Sequence, residues 1–389
     1  MSKRDYQYIV LGLGGLGSAA AYWLARRAGS EVLGLEQFEL GHDRGGSHDH
    51  SRIIRLSYHT PGYVQLAKAA YEAWAALEAD SGESLILKTG GLDLFPAGGA
   101  IPLADYTESL TAAGVPFELL DAAETKRRWP QWHLPDDVQV LYQSEGGIAP
   151  ANRGTATHRR MARQHGATLR DQSPISYLHS QNGEIEVTAA GQTYRCEKLI
   201  LTAGAWSNRL LAHFDIQLPL TVTQEQLTYF TTPYLDEFAP ERFPIWIWMD
   251  EPCFYGFPVY GERAVKGAQD VGGREVTVET RTFEPDAANL QRLSAFFEKH
   301  LPRAYGPPLL TKTCLYTLTP DRDFIIDALP DHPNVLIAIG AAHDFKFSSL
   351  IGRILADLAV DGATTHDLSP FKINRPILQM ANPPRNFMI

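Results

Sequence analysis

A chain of 389 residues holds about two or three domains' worth of sequence, and its 44% hydrophobic and 21% charged residues are an ordinary balance for a globular enzyme. A net charge of −10 with no basic patch excludes a typical nucleic-acid binder. The three cysteines, Cys196, Cys253 and Cys314, make no C-x-x-C pair and no disulfide framework, which fits a reducing compartment.

Residues 6–11 (YQYIVL) form a short apolar, β-branched run. Gly12, Gly14 and Gly17 follow as G-x-G-x-x-G, then an alanine-rich helical segment at 18–28 and a second strand at 31–36 ending on Glu36. Strand, glycine turn, helix, strand and acid in this order is a dinucleotide-binding βαβ unit. Gly12 permits the tight turn, Gly14 admits a pyrophosphate at the positive end of the helix, and Gly17 lets helix and strand pack closely. Glu36, 24 residues after Gly12, is placed to accept hydrogen bonds from a ribose. The unit itself leaves FAD and NAD(P) equally open. Lys3 and Arg4 before an apolar stretch superficially resemble a secretory leader, but the glycine fingerprint fills its middle and Arg26-Arg27 occupy the cleavage region. The expectation is a cytoplasmic protein, since no apolar run approaches the ~18 residues of a membrane span.

Residues 37–51 read as a long polar loop, of the kind that is often functional beside a nucleotide site. A helix is expected over 63–78, strands over 85–95, helices over 105–113 and 122–128, and a turn over 144–150. Then come a helix at 152–165, new strand material at 167–177, and a hairpin at 185–189 and 194–201 that runs into Thr202-Ala203-Gly204-Ala205-Trp206. The small residues there allow close backbone approach to a nucleotide. Residues 220–266 are β-rich and aromatic, 285–300 helical, 313–316 and 324–326 short strands, and 335–339 a buried strand ending at Gly340. A last helix closes at Asp361-Gly362, a C-cap signature. Nucleotide-type strands at both ends and in the middle, with aromatic β segments between, indicate two interleaved domains with a substrate site at their junction.

Taken singly, the chemical candidates are plain. Cys314 reads as a core cysteine. Lys266 reads as a surface lysine, except that it follows an aromatic β stretch where a buried ammonium is costly. His343, Asp344 and Lys346 sit between a buried strand and a helix start, where ligands gather in open α/β sheets.

Together with their neighbours these residues carry a resemblance. The runs 312–321 (KTCLYTLTPD), 323–327 (DFIID), 332–335 (HPNV) and 345–349 (FKFSS) resemble the monomeric sarcosine oxidase family, which also includes N-methyltryptophan and pipecolate oxidases. Gly46-Ser47-His48 with Arg52-Ile53-Ile54-Arg55, residues 126–130 (KRRWP), Gly204-Ala205-Trp206, Tyr255-Gly256-Phe257-Pro258 and Asn374-Arg375-Pro376 fit as well, so the similarity spans essentially the whole chain. It implies a Rossmann-like FAD-binding domain interleaved with a mixed or antiparallel-sheet catalytic domain, with 1–84, 145–218 and 320–389 in the first and 85–144 and 219–319 in the second. It implies FAD attached to Cys314 through a thioether at the flavin 8α carbon. It implies that Arg55 and Lys346 hold the substrate carboxylate, that Tyr255 and Tyr316 line the site, that Lys266 lies near flavin N5 and activates oxygen, and that Arg52 and His48 lie close to the isoalloxazine ring. The expected activity is oxidation of N-methyl or other secondary α-amino acids to an imine, with oxygen reduced to peroxide by a monomeric enzyme that binds no metal. Cyclic or bulkier substrates, or a dehydrogenase using an electron carrier, are the alternatives.

Two departures stand out. The loop before Phe345-Lys346 is Gly340-Ala341-Ala342-His343-Asp344, one residue shorter than the family's Gly-x-Ser-Gly-His-Gly, with Asp344 in place of a glycine. Asp270 stands where sarcosine oxidases tend to have a histidine. An acid beside Lys346 is expected either to pair with it or to weaken its hold on a carboxylate.

Overall fold

The computed structural model describes residues 4–181 and 183–386; Lys3 lies outside them. The glycine unit forms as its sequence dictates. The strand Asp5–Leu11 lies parallel to Val32–Leu35 on one side and to the end of Gln192–Leu201 on the other. Its side chains Ile9, Val10 and Leu11 are buried, as a strand covered on both faces requires. The sheet continues from Val32–Leu35 to Thr168–Arg170 and from Gln192–Leu201 to the antiparallel hairpin strands Glu184–Ala189 and Ile175–Gln181. On its edge away from Asp5–Leu11, the ten-residue strand Gln192–Leu201 serves two neighbours: its first half pairs with Glu184–Ala189 and its end, in parallel, with His332–Ile339.

The helix Gly15–Ala28 packs against Ser348–Asp361 and Ala151–Gln164. Gly352 makes one of these approaches possible, because a Cβ there would lie 2.5 Å from the Ala19 carbonyl carbon. Gly17 is held more tightly still, since its Cβ would lie 1.8 Å from the Gly12 carbonyl oxygen.

A second sheet has nine strands in the order Arg274–Glu275, Thr221–Phe230, Val265–Gln269, Phe254–Phe257, Ile245–Trp248, Gly91–Phe95, Gln139–Gln143 and Glu118–Asp121, with Pro308–Leu318 pairing Thr221–Phe230 as well. Its neighbouring strands run antiparallel except Ile245–Trp248 beside Gly91–Phe95, which are parallel, and successive side chains point to opposite faces. Trp246 and Phe297 pack on one face, where the helix Ala287–His300 lies, so closely that a Cβ at Gly256 or Gly267 would lie 2.4 Å from their rings. Tyr255, Phe257, Lys266, Tyr229, Cys314 and Tyr316 share the other face, because the register sets Tyr255 against Ala268, Phe257 and Tyr229 against Lys266, and Thr223 against Tyr316.

Three sequence readings change. The expected turn at 144–150 ends early, and Gly147–Pro150 is a strand between Ser51–Ile54 and Leu87–Lys88. Its glycines mark close packing rather than only a turn, for a Cβ at Gly147 would lie 2.1 Å from the Leu87 carbonyl oxygen. The short strand expected at 313–316 runs from Pro308 to Leu318. Its outer residues mix Pro308, Thr311 and Lys312 with leucines and show no clear alternation, and the ladder with Thr221–Phe230 draws them in. The strands Glu118–Asp121 and Gln139–Gln143 had no distinct signal and exist through pairing with each other and with Gly91–Phe95.

Candidate active site

One cavity of about 420 Å³ runs between the two large sheets. Gly12, Gly14, Glu36, Gly204 and Trp206 line one end, and Arg55, Tyr255, Tyr316, His343 and Lys346 the other, with Arg52 and Gly340 along the way. The strand ends of the parallel sheet place the first group, and the alternating face of the mixed sheet places the two tyrosines.

At the glycine end, Gly12 has φ of +90°, and a side chain there would strike the Thr202 carbonyl, 2.7 Å from its Cβ. The Glu36 carboxylate accepts the Leu13 amide at 2.8 Å and the Phe38 amide at 3.1 Å. Burial works against its charge, but His42 and these amides outweigh it and hold the carboxyl below the usual carboxylate range. Trp206 meets Phe38 edge-on, and Phe38 meets His42, forming an aromatic wall.

The loop at 37–51 is pinned across the middle. Arg52 donates to the carbonyls of Gly46 at 2.7 Å and His48 at 2.9 Å. The Leu315 amide donates to the Gly45 carbonyl, which docks the loop beside Cys314. His48 is buried with Nε2 unpartnered, and burial, then the charge on Arg52, lowers its pKa to about 4, so it is neutral. Burial pushes the Cys314 thiol up to about 11, against the opposing pull of Arg52.

At the aromatic end, Arg55 donates to Asp93 at 2.9 Å. Burial disfavours its charge, but Asp93 more than offsets this and raises its pKa. The guanidinium lies 5.0 Å from the Tyr58 ring centre. The Lys346 ammonium lies 5.7 Å from the same ring. Among the described residues no carboxylate lies within ion-pair distance of it. Burial, and then Arg55, bring its pKa down to about 7. Asp344 does not pair with Lys346: its carboxyl folds over Gly340, where a Cβ would lie 1.9 Å from Asp344 Cγ. Asp270 reaches Arg322 at 3.3 Å. His343 contacts the Arg322 carbonyl through Nε2 at 2.7 Å, which makes that nitrogen the donor and leaves buried Nδ1 as an unpartnered acceptor. Burial, followed by Lys346 and Arg322, keeps this imidazole neutral. The Tyr255 and Tyr316 phenols interact with each other, and burial raises the pKa of both.

Lys266 is fully buried behind this wall. Its ammonium donates to Asp49 at 2.8 Å and to the Ser51 carbonyl and hydroxyl at 3.0 Å each. Burial lowers its pKa to about 8, with Asp49 opposing. Asp49 also accepts Tyr229 at 2.9 Å and Lys312 at 3.0 Å. Sequence reasoning passed over Asp49, Asp93, Asp270's partner Arg322, and Tyr58. Asp93 alone carried a signal, as the one acid in the buried run 91–95, GLDLF. Asp49 is one of several polar residues in its loop, and only the fold singles it out.

Comparison with known proteins gives the family. Residues 7–358 match the family described as FAD dependent oxidoreductase. The chain is 31% identical to monomeric sarcosine oxidase from Arthrobacter sp., covering 97% of this chain and 98% of that one. It is 30% identical to N-methyl-L-tryptophan oxidase from Salmonella heidelberg, covering 95% and 99%. Among solved structures it is similar to NikD, an unusual amino acid oxidase essential for nikkomycin biosynthesis, with a TM-score of 0.85, 27% identity and coverage of 95% and 98%.

Proposed function

The chain belongs to the FAD-dependent oxidoreductase family, and from that premise we propose that it is a flavin-dependent oxidase of N-methyl and other secondary α-amino acids. The observation that carries this reading is the single cavity that joins the glycine turn and Glu36 to an aromatic end where Lys346 lacks a carboxylate partner among the described residues. The residues fit FAD: the turn that lines the cavity is side-chain-free at Gly12 and Gly14, and Glu36 faces the same space. Glu36 would hold the adenosine ribose, and Gly204, Trp206, Gly340, His48 and Arg52 would flank the rest. When bound, FAD supplies the hydride acceptor and passes electrons to dioxygen.

Each neighbouring residue then has a task. Lys346 and Arg55 take the substrate carboxylate, and Arg55 is held in place for this by Asp93. Tyr58, Tyr255 and Tyr316 form an electron-rich cage that orients the amine. The amine must arrive unprotonated, because an ammonium has no lone pair to assist loss of hydride from the adjacent carbon. Neutral His343 offers Nδ1 as an acceptor at the same end. Buried Lys266, charged below its pKa of about 8 and held by Asp49 behind the cavity wall, supplies positive charge where negative charge develops on oxygen. Cys314 carries the flavin through a thioether. For an N-methyl substrate the imine hydrolyses to formaldehyde and the primary amino acid, with hydrogen peroxide as the second product. The segments 1–84, 145–218 and 320–389 form the FAD-binding domain and 85–144 with 219–319 the catalytic one. Three unpaired cysteines support a cytoplasmic setting, and we take the enzyme to be a monomer.

Ile101, Ile247 and Met249 line the cavity beside Tyr255 and favour a second reading, with bulkier or cyclic secondary amino acids as substrates. Peroxide release across sarcosine, N-methylalanine, pipecolate, proline and N-methyltryptophan separates the two. Silence with all five overturns the oxidase assignment, and turnover only with an artificial electron acceptor makes the protein a dehydrogenase. FAD that stays with the acid-precipitated wild type, and is released from Cys314→Ala, is the expected signature of the thioether.

A further inference from the structure

Glu225 is buried within the strand Thr221–Phe230, and nothing in the reaction above uses it. It stands directly opposite Cys314 on the neighbouring antiparallel strand. Such partners leave the sheet on one face with Cβ atoms roughly 4.5–5.5 Å apart. Three donors hold the carboxylate: the Thr223 hydroxyl at 2.6 Å on Oε1, and the Gly272 and Gly273 amides at 3.0 and 2.7 Å on Oε2. A carboxylate offers about four lone-pair directions, so one on Oε1 stays open. After burial, the largest influences on Glu225 are the Thr223 hydroxyl, the Asp270 charge and the Gly272 and Gly273 amides. The groups facing Cys314 are Arg52, Arg281 and Lys266, which favour its thiolate, and Glu225, which opposes it.

We propose that Glu225 accepts the Cys314 thiol proton when the flavin is attached. The inference rests on the reading of Cys314 as the attachment point. In that step a sulfur–carbon bond forms at the 8α carbon while the thiol S–H bond and one 8α C–H bond break. The two electrons reduce the cofactor, and dioxygen takes them up as hydrogen peroxide together with two protons. A thiol whose pKa burial raises to about 11 keeps its proton at neutral pH and needs an acceptor. Glu225, raised to about 7 chiefly by burial, exchanges a proton in that range. A purely structural Glu225 would tie down the turn at Gly272-Gly273 and leave the attachment chemistry unchanged.

Full-length protein from flavin-starved cells, mixed with FAD at pH values from about 6 to 8.5, decides the matter. The rate of attachment is read as FAD that survives acid precipitation, and binding is read separately by absorbance after gel filtration. The wild-type rate should climb through about pH 7 and level off. Glu225→Gln should bind FAD yet attach it about 100-fold more slowly, with no such climb. Thr223→Val removes a donor that favours the carboxylate, so its climb should move to higher pH, and this variant decides the question if Glu225→Gln does not hold FAD. Attachment by Glu225→Gln at the wild-type rate, or an unmoved profile in Thr223→Val, overturns the proposal. Loss of FAD from the acid-treated wild type instead overturns the thioether reading beneath it.

Discussion

Lys346 offers the sharpest test of the site. Burial, reinforced by Arg55, brings its pKa down to about 7. Its ammonium is therefore present below that pH and lost above it. A carboxylate bound beside it favours the charged form and raises the pKa again. The sign follows: a simple carboxylate such as propionate should bind well at pH 6 and progressively worse above pH 7. A rise of about two pKa units on binding corresponds to ~2.7 kcal/mol of interaction, since one unit is 1.36 kcal/mol. By linkage this makes the dissociation constant about 50-fold larger at pH 9 than at pH 6. Arg55 stays charged throughout and leaves a residual affinity. Lys266 and Glu225 also titrate near neutrality, but neither lines the cavity. The assay is titration of the holoenzyme's flavin absorbance with propionate across this pH range. Lys346→Met should bind weakly at pH 6 and show little further change. A flat wild-type profile, or the same slope in Lys346→Met, refutes the assignment.

Lys266→Met should slow reoxidation of the reduced enzyme by oxygen by ~100-fold or more, while reduction by substrate changes little. Equal slowing of both half-reactions in stopped flow would contradict the role given to this ammonium. Asp93→Ala leaves Arg55 buried without its counter-charge and should cost about 3–5 kcal/mol in urea unfolding, together with a higher KM. A cost under about 1 kcal/mol would show that the pair does not restrain Arg55. Gly17→Ala would set a methyl 1.8 Å from the Gly12 carbonyl oxygen and should abolish FAD retention on gel filtration. Full FAD occupancy in that variant would mean the turn is not the cradle described.

The sequence by itself determined the glycine turn, its helix and Glu36. A local βαβ unit carries its instructions in neighbouring residues, and the backbone there can adopt little else. The same is true of the buried strand ending at Gly340 and of the final helix closing at Gly362, whose left-handed φ of +74° suits glycine. The reading of Cys314, Arg55 and Lys346 came from specific runs of residues rather than from any one of them. Tertiary structure decided what these residues touch. Only the register of the mixed sheet puts Glu225 against Cys314 and Tyr229 against Lys266. Only chain crossings of more than 200 residues bring Asp49 to Lys266, which lie 217 positions apart in sequence. The effect of Asp344 was equally undecidable from its position two residues before Lys346, because its carboxyl turns over Gly340 instead of toward the ammonium. Burial, which sets the charge state of Lys346, Lys266 and His343, depends on every layer packed around them. It therefore belongs to the fold as a whole and to no stretch of the sequence.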